Sequence, residues 1–434
     1  MTIVPVPETG SVIGLRHPIV GEELTMEVVG ESVLPWEDLF STRGHRIKSS
    51  AIRELLKVTE QPDFISFAGG FPAPELFPVK EVAETIDKVM REMGPQALQY
   101  SATEGYRPLR QWVADYMRAV GVPATVENVL ITTGSQQALD LLGRVLINKD
   151  DPVAVETPTY LAALQAWRVY GASFLGIPSD MSGINPDYLE NNLLKKPKLL
   201  YSIPNFQNPT GATLPLKRRE ALMAWCQKER VCLIEDDPYR EIRFEGKFLP
   251  RLIEIDAATR NEDVYRGQVV YLSTFSKVLA PGLRVGAVVA HPELLTRLVQ
   301  AKQAADLHTP TLNQMVCYEL AKLGFLKDQA RKVAEVYKER RDVMVKEVKH
   351  TFPKGTQVGV PEGGMFLWVT LPEGMDADRI WQKALEQKIA FVPGAPFFPE
   401  HPKKNTLRLN FSNSDPETIK EGMARLNRAL DSAK

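Results

Sequence analysis

One lysine and one arginine raise the first chemical question. In Tyr271-Leu-Ser-Thr-Phe-Ser-Lys277, an apolar and β-branched run from Gln268 to Leu272 gives way to small hydroxyl residues and then to a single lysine. Arg284 follows seven residues later, with Pro281 and Gly282 between them. A lysine leaving the end of a buried strand is poorly hydrated. Desolvation disfavours its charged form, so it can shed a proton and attack a carbonyl carbon. Thr274, Ser276 and Arg284 add short hydroxyl donors and a planar cationic fork, which is what a phosphate needs. A nucleophilic lysine beside a phosphate site points to pyridoxal phosphate. The plainer reading is a strand-end lysine near a proline turn, and so short a motif does not choose between them.

The choice depends on what brings other residues to the same place. From Val129 onward, short apolar runs at 129–132, 153–155, 199–203, 231–234, 269–272 and 287–290 alternate with stretches of helical spacing. Runs apolar on both faces, with helices between, predict an α/β fold with a mainly parallel sheet covered on both sides. Such sheets bind ligands beyond the carboxyl ends of their strands, so the residues after each run are the ones to read.

The first run leads into Thr133-Gly134-Ser135-Gln136 and a helix, a tight turn whose free N–H groups attract phosphate. The second leads to Tyr160, an aromatic ring. The third leads to Asn208-Pro209-Thr210-Gly211, an amide in a turn. The fourth leads to Asp236-Asp237-Pro238-Tyr239, a carboxylate with a phenol. The fifth leads to Lys277 and Arg284. Each residue alone has a structural explanation: Asn208 as a turn residue, Asp236 as a helix cap, Tyr160 as core. Together, at one sheet edge, they form a chemical set.

Composition narrows the partners. The 434 residues exceed one ordinary domain. The chain is 44% apolar and 25% charged, with 53 basic against 54 acidic residues, a formal charge of -1. This balance favours neither nucleic acid nor an anionic membrane. Cys226, Cys232 and Cys317 lack zinc spacing and read as reduced residues of a cytoplasmic protein. No apolar run approaches the roughly 18 residues of a membrane span, and Met1 to Gly10 carries no signal-peptide pattern.

Residues 1–48 read as an arm, and positions 1–44 of it hold seven acids against Arg16 and Arg43. Its apolar residues imply that part of it lies across the body or a second subunit. Ser49 and Ser50 precede a helical pattern containing Arg53. A strand at 64–67 runs into Ala68-Gly69-Gly70, where glycines admit a ligand close to the backbone. Helices are predicted at 79–92, 108–118, 326–350, 376–387 and 415–433, with strands at 358–361, 366–370 and 405–411.

With these motifs in hand, the chain from about Ser49 onward resembles the fold-type I pyridoxal-phosphate aminotransferases. Gly-Ser-Gln-Gln, Asn-Pro-Thr-Gly, Asp-x-Pro-Tyr and Ser-x-Ser-Lys with its arginine occur in that family's order. Phe67 to Pro78, Gly134 to Asp140 and Ala305 to Pro310 are most similar to 2-aminoadipate aminotransferases of lysine biosynthesis, within the kynurenine/aminoadipate branch. The resemblance implies a seven-stranded large domain at 76–324 and a small α+β domain from 49–75 and 325–434. It implies that Lys277 holds the cofactor and then serves as base, that Asp236 faces the pyridine nitrogen, and that Tyr160 stacks on the ring. Asn208 and Tyr239 would donate to the phenolate oxygen. Ser135, Gln136, Thr274, Ser276 and Arg284 would bind the phosphate. Tyr100 would reach the phosphate of a neighbouring subunit, which implies a homodimer with shared active sites. Arg408 would take the substrate's α-carboxylate, near Asn208 and Gly70, and Arg53 the side-chain carboxylate of acidic donors. Transamination to 2-oxoglutarate is the expected reaction. A β-lyase or decarboxylase would use the same lysine and aspartate. A non-catalytic regulator would need a DNA-binding domain ahead of residue 49, and that stretch is short and acidic.

Overall fold

The computed structural model describes residues 34–48, 63–193 and 195–433. The chain divides into two units, residues 1–41 and 42–434. In the first, the described residues form a single helical turn, Trp36–Leu39, with no buried residue. The expected docking of the arm rests mostly on residues outside the described ones, as do the helix after Ser50 and Arg53.

The second unit contains an eight-stranded sheet. Its strands are β2 (Val129–Thr132), β3 (Pro152–Thr157), β4 (Ser173–Asp180), β5 (Gly183–Ile184), β6 (Leu199–Ser202), β7 (Cys232–Asp236), β8 (Val269–Thr274) and β9 (Gly286–Val289), in the order β2-β9-β8-β7-β6-β3-β4-β5. The pairs β3·β4, β3·β6, β6·β7 and β7·β8 are parallel, whereas β9 runs antiparallel to both its neighbours. The seven strands implied by the resemblance are present. The eighth, β5, is two residues turning back on β4.

Alternation along these strands builds two cores. Leu130, Val153, Val155, Leu199, Tyr201, Ile234, Val270, Leu272 and Val288 pack on one face. Val129, Ile131, Ala154, Leu200, Leu233, Val269, Tyr271, Ala287 and Val289 pack on the other. Successive side chains of a strand point to opposite faces, so a sheet buried on both needs continuous apolar runs, as found here. Two strands of this sheet, β4 and β5, escape the sequence reading. β4 contains Gly176 and Pro178 and fully buries only Phe174 and Ile177, because it lies near the sheet's edge, where proline is tolerated.

The remaining strands begin with β1 (Ile65–Ser66), paired in parallel with β12 (Ile389–Ala390). β10 (Gln357–Val358), β11 (Phe366–Thr370), β13 (Val392–Pro393) and β14 (Thr406–Asn410) form an antiparallel sheet, order β10-β11-β14-β13. Helices Phe325–Thr351, Ala377–Glu386 and Pro416–Ser432 accompany it, close to the predicted spans. The helix predicted at 79–92 runs instead from Val79 to Leu98, with Met93 out of helical geometry two residues before Pro95. Proline removes an N–H and crowds the preceding turn, so the helix kinks there and continues. Among the described residues no helix is long and apolar enough to cross a membrane.

Candidate active site

The carboxyl ends of the sheet strands open into a cavity of about 360 Å³. It is lined by Gly70, Ser135, Gln136, Tyr160, Asn208, Asp236, Tyr239, Thr274, Ser276, Lys277, Arg284 and Arg408. All the residues singled out in the sequence are therefore brought together, with two exceptions. Arg53 is outside the described residues. Tyr100 is 79% exposed and does not line the cavity; its ring meets His308 edge-on at 5.9 Å. A larger cavity of about 680 Å³, walled by Trp112, Phe248 and Leu326, takes only Thr274 from the set.

Lys277 follows the end of β8. Its Nζ donates to the carbonyl of Gly70 at 2.9 Å. Burial, then the positive charges of Arg408 and Arg284, lower its pKa to about 8, so much of it is the neutral nucleophile at mildly alkaline pH. Gly70 makes this possible: a Cβ there would press on the Phe366 ring at 3.1 Å.

Asp236 ends β7 and is 2% exposed. Its Oδ2 accepts from the Tyr201 hydroxyl at 2.7 Å. Its Oδ1 is buried without a partner among the described residues. Burial raises its pKa to about 7, against the opposing Tyr201 hydrogen bond, with nearby Asp237 adding to the rise. A buried carboxylate oxygen left bare is costly, which fits a cationic N–H arriving as a ligand. Tyr201 is the residue that the sequence reading missed. It sits in β6 as part of an apolar run, paired in register with Ile234 of β7. The available signal was alternation: Tyr201 shares a face with Ile234, hence with Asp236 two residues on.

The phosphate end starts at the helix Ser135–Leu146, preceded by Gly134 at φ 73°. A Cβ at Gly134 would collide with the Arg284 guanidinium, so only glycine leaves this cradle open. The Ser135 Oγ is buried and unpartnered among the described residues. The hydroxyls of Thr274 and Ser276 lie 2.9 Å apart. Arg284 adopts left-handed backbone, φ 53°, and donates to the carbonyls of Thr133 at 3.1 Å and Pro281 at 3.3 Å. Strain of this kind gathers at binding sites. The bare Ser135 hydroxyl, the open cradle and the bare Asp236 oxygen match a molecule with an anionic end and a protonated ring nitrogen.

Arg408, in β14, is 2% exposed. Its guanidinium lies between Phe366 and Phe397, 4.2 and 5.0 Å from the ring centroids. Nη1 donates to Asn208 Oδ1 at 2.8 Å and Nη2 to the Ala68 carbonyl at 2.7 Å, while Nε is unpartnered among the described residues. Burial lowers its pKa to about 10, leaving it charged at neutral pH. With its oxygen accepting from Arg408, Asn208 keeps its NH₂ as a donor for another group. Burial holds the Tyr160 hydroxyl neutral, with a pKa raised to about 12.

Comparison with known proteins identifies the family. The model of the aminotransferase class I and II family matches residues 62–426. The chain belongs to that family. It is 49% identical to the 2-aminoadipate transaminase of Thermus thermophilus, over 92% of this chain and 98% of that protein. It is 43% identical to aromatic-amino-acid aminotransferase 1 of Thermococcus litoralis, over 93% and 97% respectively. The solved α-aminoadipate aminotransferase of T. thermophilus, complexed with N-(5′-phosphopyridoxyl)-L-leucine, superposes with TM-score 0.85 at 48% identity, covering 92% of this chain and 99% of that one. This chain is an aminotransferase with the fold-type I architecture.

Proposed function

We propose that this aminotransferase moves the α-amino group of 2-aminoadipate, glutamate, a branched-chain or an aromatic amino acid to a 2-oxo acid such as 2-oxoglutarate, using pyridoxal 5′-phosphate. The observation that carries the reading is the single cavity lined by Lys277, Asp236 and Arg408.

Bound there, the cofactor supplies an electron sink for the pair left when the substrate's Cα loses its proton. The protein does the rest. Arg408 takes the substrate carboxylate in a dry fork, where electrostatic attraction is strongest. Lys277 would carry the cofactor and, when released, removes the Cα proton with its neutral amine. Asp236, fixed by Tyr201, would keep the ring nitrogen protonated. Asn208 and Tyr239 would offer donors to the ring oxygen, and Tyr160 would cover the ring face. Ser135, Gln136, Thr274, Ser276 and Arg284 would hold the phosphate end. Residues 76–324 would serve as the cofactor-holding body, and 49–75 with 325–434 as the smaller part that brings Arg408. We assign exposed Tyr100 to the phosphate of a neighbouring subunit in a homodimer, and the protein to the cytoplasm. Arg53 is the sequence's candidate for an acidic donor's side-chain carboxylate.

The test is a donor panel with 2-oxoglutarate as acceptor, including Arg53→Ala. New glutamate in step with consumed donor supports transamination, whereas release of ammonia or carbon dioxide refutes it. Read in the donor half-reaction alone, from the absorbance change of the bound cofactor with no oxo acid present, Arg53→Ala should weaken aminoadipate and glutamate more than leucine and phenylalanine; equal loss on all four removes that arginine from the account. Borohydride reduction followed by peptide mapping should leave the cofactor on Lys277.

A further inference from the structure

Lys302, in the last turn of the helix Pro292–Gln303, has a side chain wholly withdrawn from solvent. Its ammonium donates to the two carboxylate oxygens of Asp306 at 2.7 and 2.9 Å, and to Gln137 Oε1 at 2.8 Å. A buried ammonium is tolerated only when it is paired and hydrogen-bonded, so this arrangement is specific. Asp306 Oδ2 also accepts from Thr133 Oγ1 at 2.9 Å and Gln137 Nε2 at 2.6 Å. Gln137 Oε1 accepts from the Thr133 N–H at 2.8 Å, the Thr133 hydroxyl lies 3.1 Å from that of Thr309, and the Thr133 carbonyl accepts from Arg284. Every polar atom of Thr133 is thus engaged, and Thr133 is the residue that enters the Gly134–Ser135 cradle.

None of these partners touches the cavity except Arg284. Yet all of them meet on one residue at its edge. We propose that Lys302 and Asp306 are positioning residues for the phosphate end of the site. Lys302 fixes the orientation of the Asp306 carboxylate and the Gln137 amide. Those two groups fix Thr133. Thr133 then sets both the start of the phosphate-binding helix and one of the two carbonyls that orient Arg284. Without the ammonium, the partly exposed Asp306 can turn to water and the Gln137 amide loses its defined orientation. The cradle then opens while the ring end, held by Asp236 and Tyr201, is untouched.

The inference rests on the cofactor reading above and is tested on cofactor-free protein with two ligands, pyridoxal 5′-phosphate and pyridoxal, which lacks the phosphate. Dissociation constants are read from the absorbance of the bound ring. Unaltered protein should favour the phosphorylated ligand strongly. Lys302→Met should shrink that preference about tenfold to a hundredfold, the equivalent of one hydrogen bond to a charged group, with pyridoxal itself held as before. Lys302→Arg, which keeps the charge, should restore part of the preference. If Lys302→Met fails to fold, the isosteric Asp306→Asn takes its place with the same expected direction. Equal weakening of both ligands, or an unchanged preference, overturns the proposal. Absence of any preference in the unaltered protein instead overturns the cofactor reading itself.

Discussion

Arg408 and Arg284 line one cavity in very different surroundings. Arg408 is buried between two aromatic rings, with both terminal nitrogens already committed to Asn208 and Ala68. Arg284 is exposed, perched on left-handed backbone and oriented by two carbonyls. The difference follows the lifetime of the anion each is assigned. A phosphate that stays bound can be shared among hydroxyls, a helix start and one surface arginine. A substrate carboxylate arrives and leaves in every cycle, so its recognition is concentrated in a single fork where water does not compete.

The sharpest way to break this contrast is Arg408→Ala. It should lower kcat/KM about a hundredfold to a thousandfold for amino and oxo acid alike, since truncating one partner of a buried charge pair costs about 2–5 kcal/mol. Cofactor affinity should hold. Arg284→Ala should do the reverse, raising the cofactor dissociation constant about tenfold to a hundredfold. If it raised the substrate KM as much as Arg408→Ala does, the division of labour would be wrong. The pH dependence of cofactor capture sharpens the contrast further. Burial and two arginines lower the pKa of Lys277 to about 8, and only the neutral amine attacks. Below pH 8 the neutral fraction falls about tenfold per unit, so stopped-flow uptake should accelerate with rising pH and level off above about 8. In Arg408→Ala one of those cations is gone, so the levelling point should move upward. Tyr201→Phe should have the smallest effect, about fivefold in kcat, corresponding to roughly 1 kcal/mol for one hydrogen bond. The Asp236 carboxyl would then protonate more readily, displacing the pH profile upward.

Much of this site is legible in the amino-acid sequence, for a specific reason. In a sheet buried on both faces, each strand announces itself as an apolar run, and the residue after the run is at the ligand edge. Lys277, Asp236, Asn208, Tyr160 and Ser135 all follow that rule. Arg408 does not: it lies inside a strand of the smaller sheet, and only the family resemblance singles it out. Tyr201 is hidden by its own apolarity, since a phenol within Leu-Leu-Tyr-Ser reads as core. β4 is obscured by Pro178 and Gly176, and the helix beyond Glu92 by Pro95, because local propensity yields to tertiary packing at edges and kinks.

The aromatic clamp on Arg408 also bears on handedness. A guanidinium pinned between Phe366 and Phe397 cannot swing to meet an arriving carboxylate. With that group anchored at one point and the amine at another, the tetrahedral carbon can turn its hydrogen towards Lys277 in only one mirror form. The opposite enantiomer would confront the lysine with its side chain instead, so a rigid arginine that takes no part in the proton transfer becomes the arbiter of chirality.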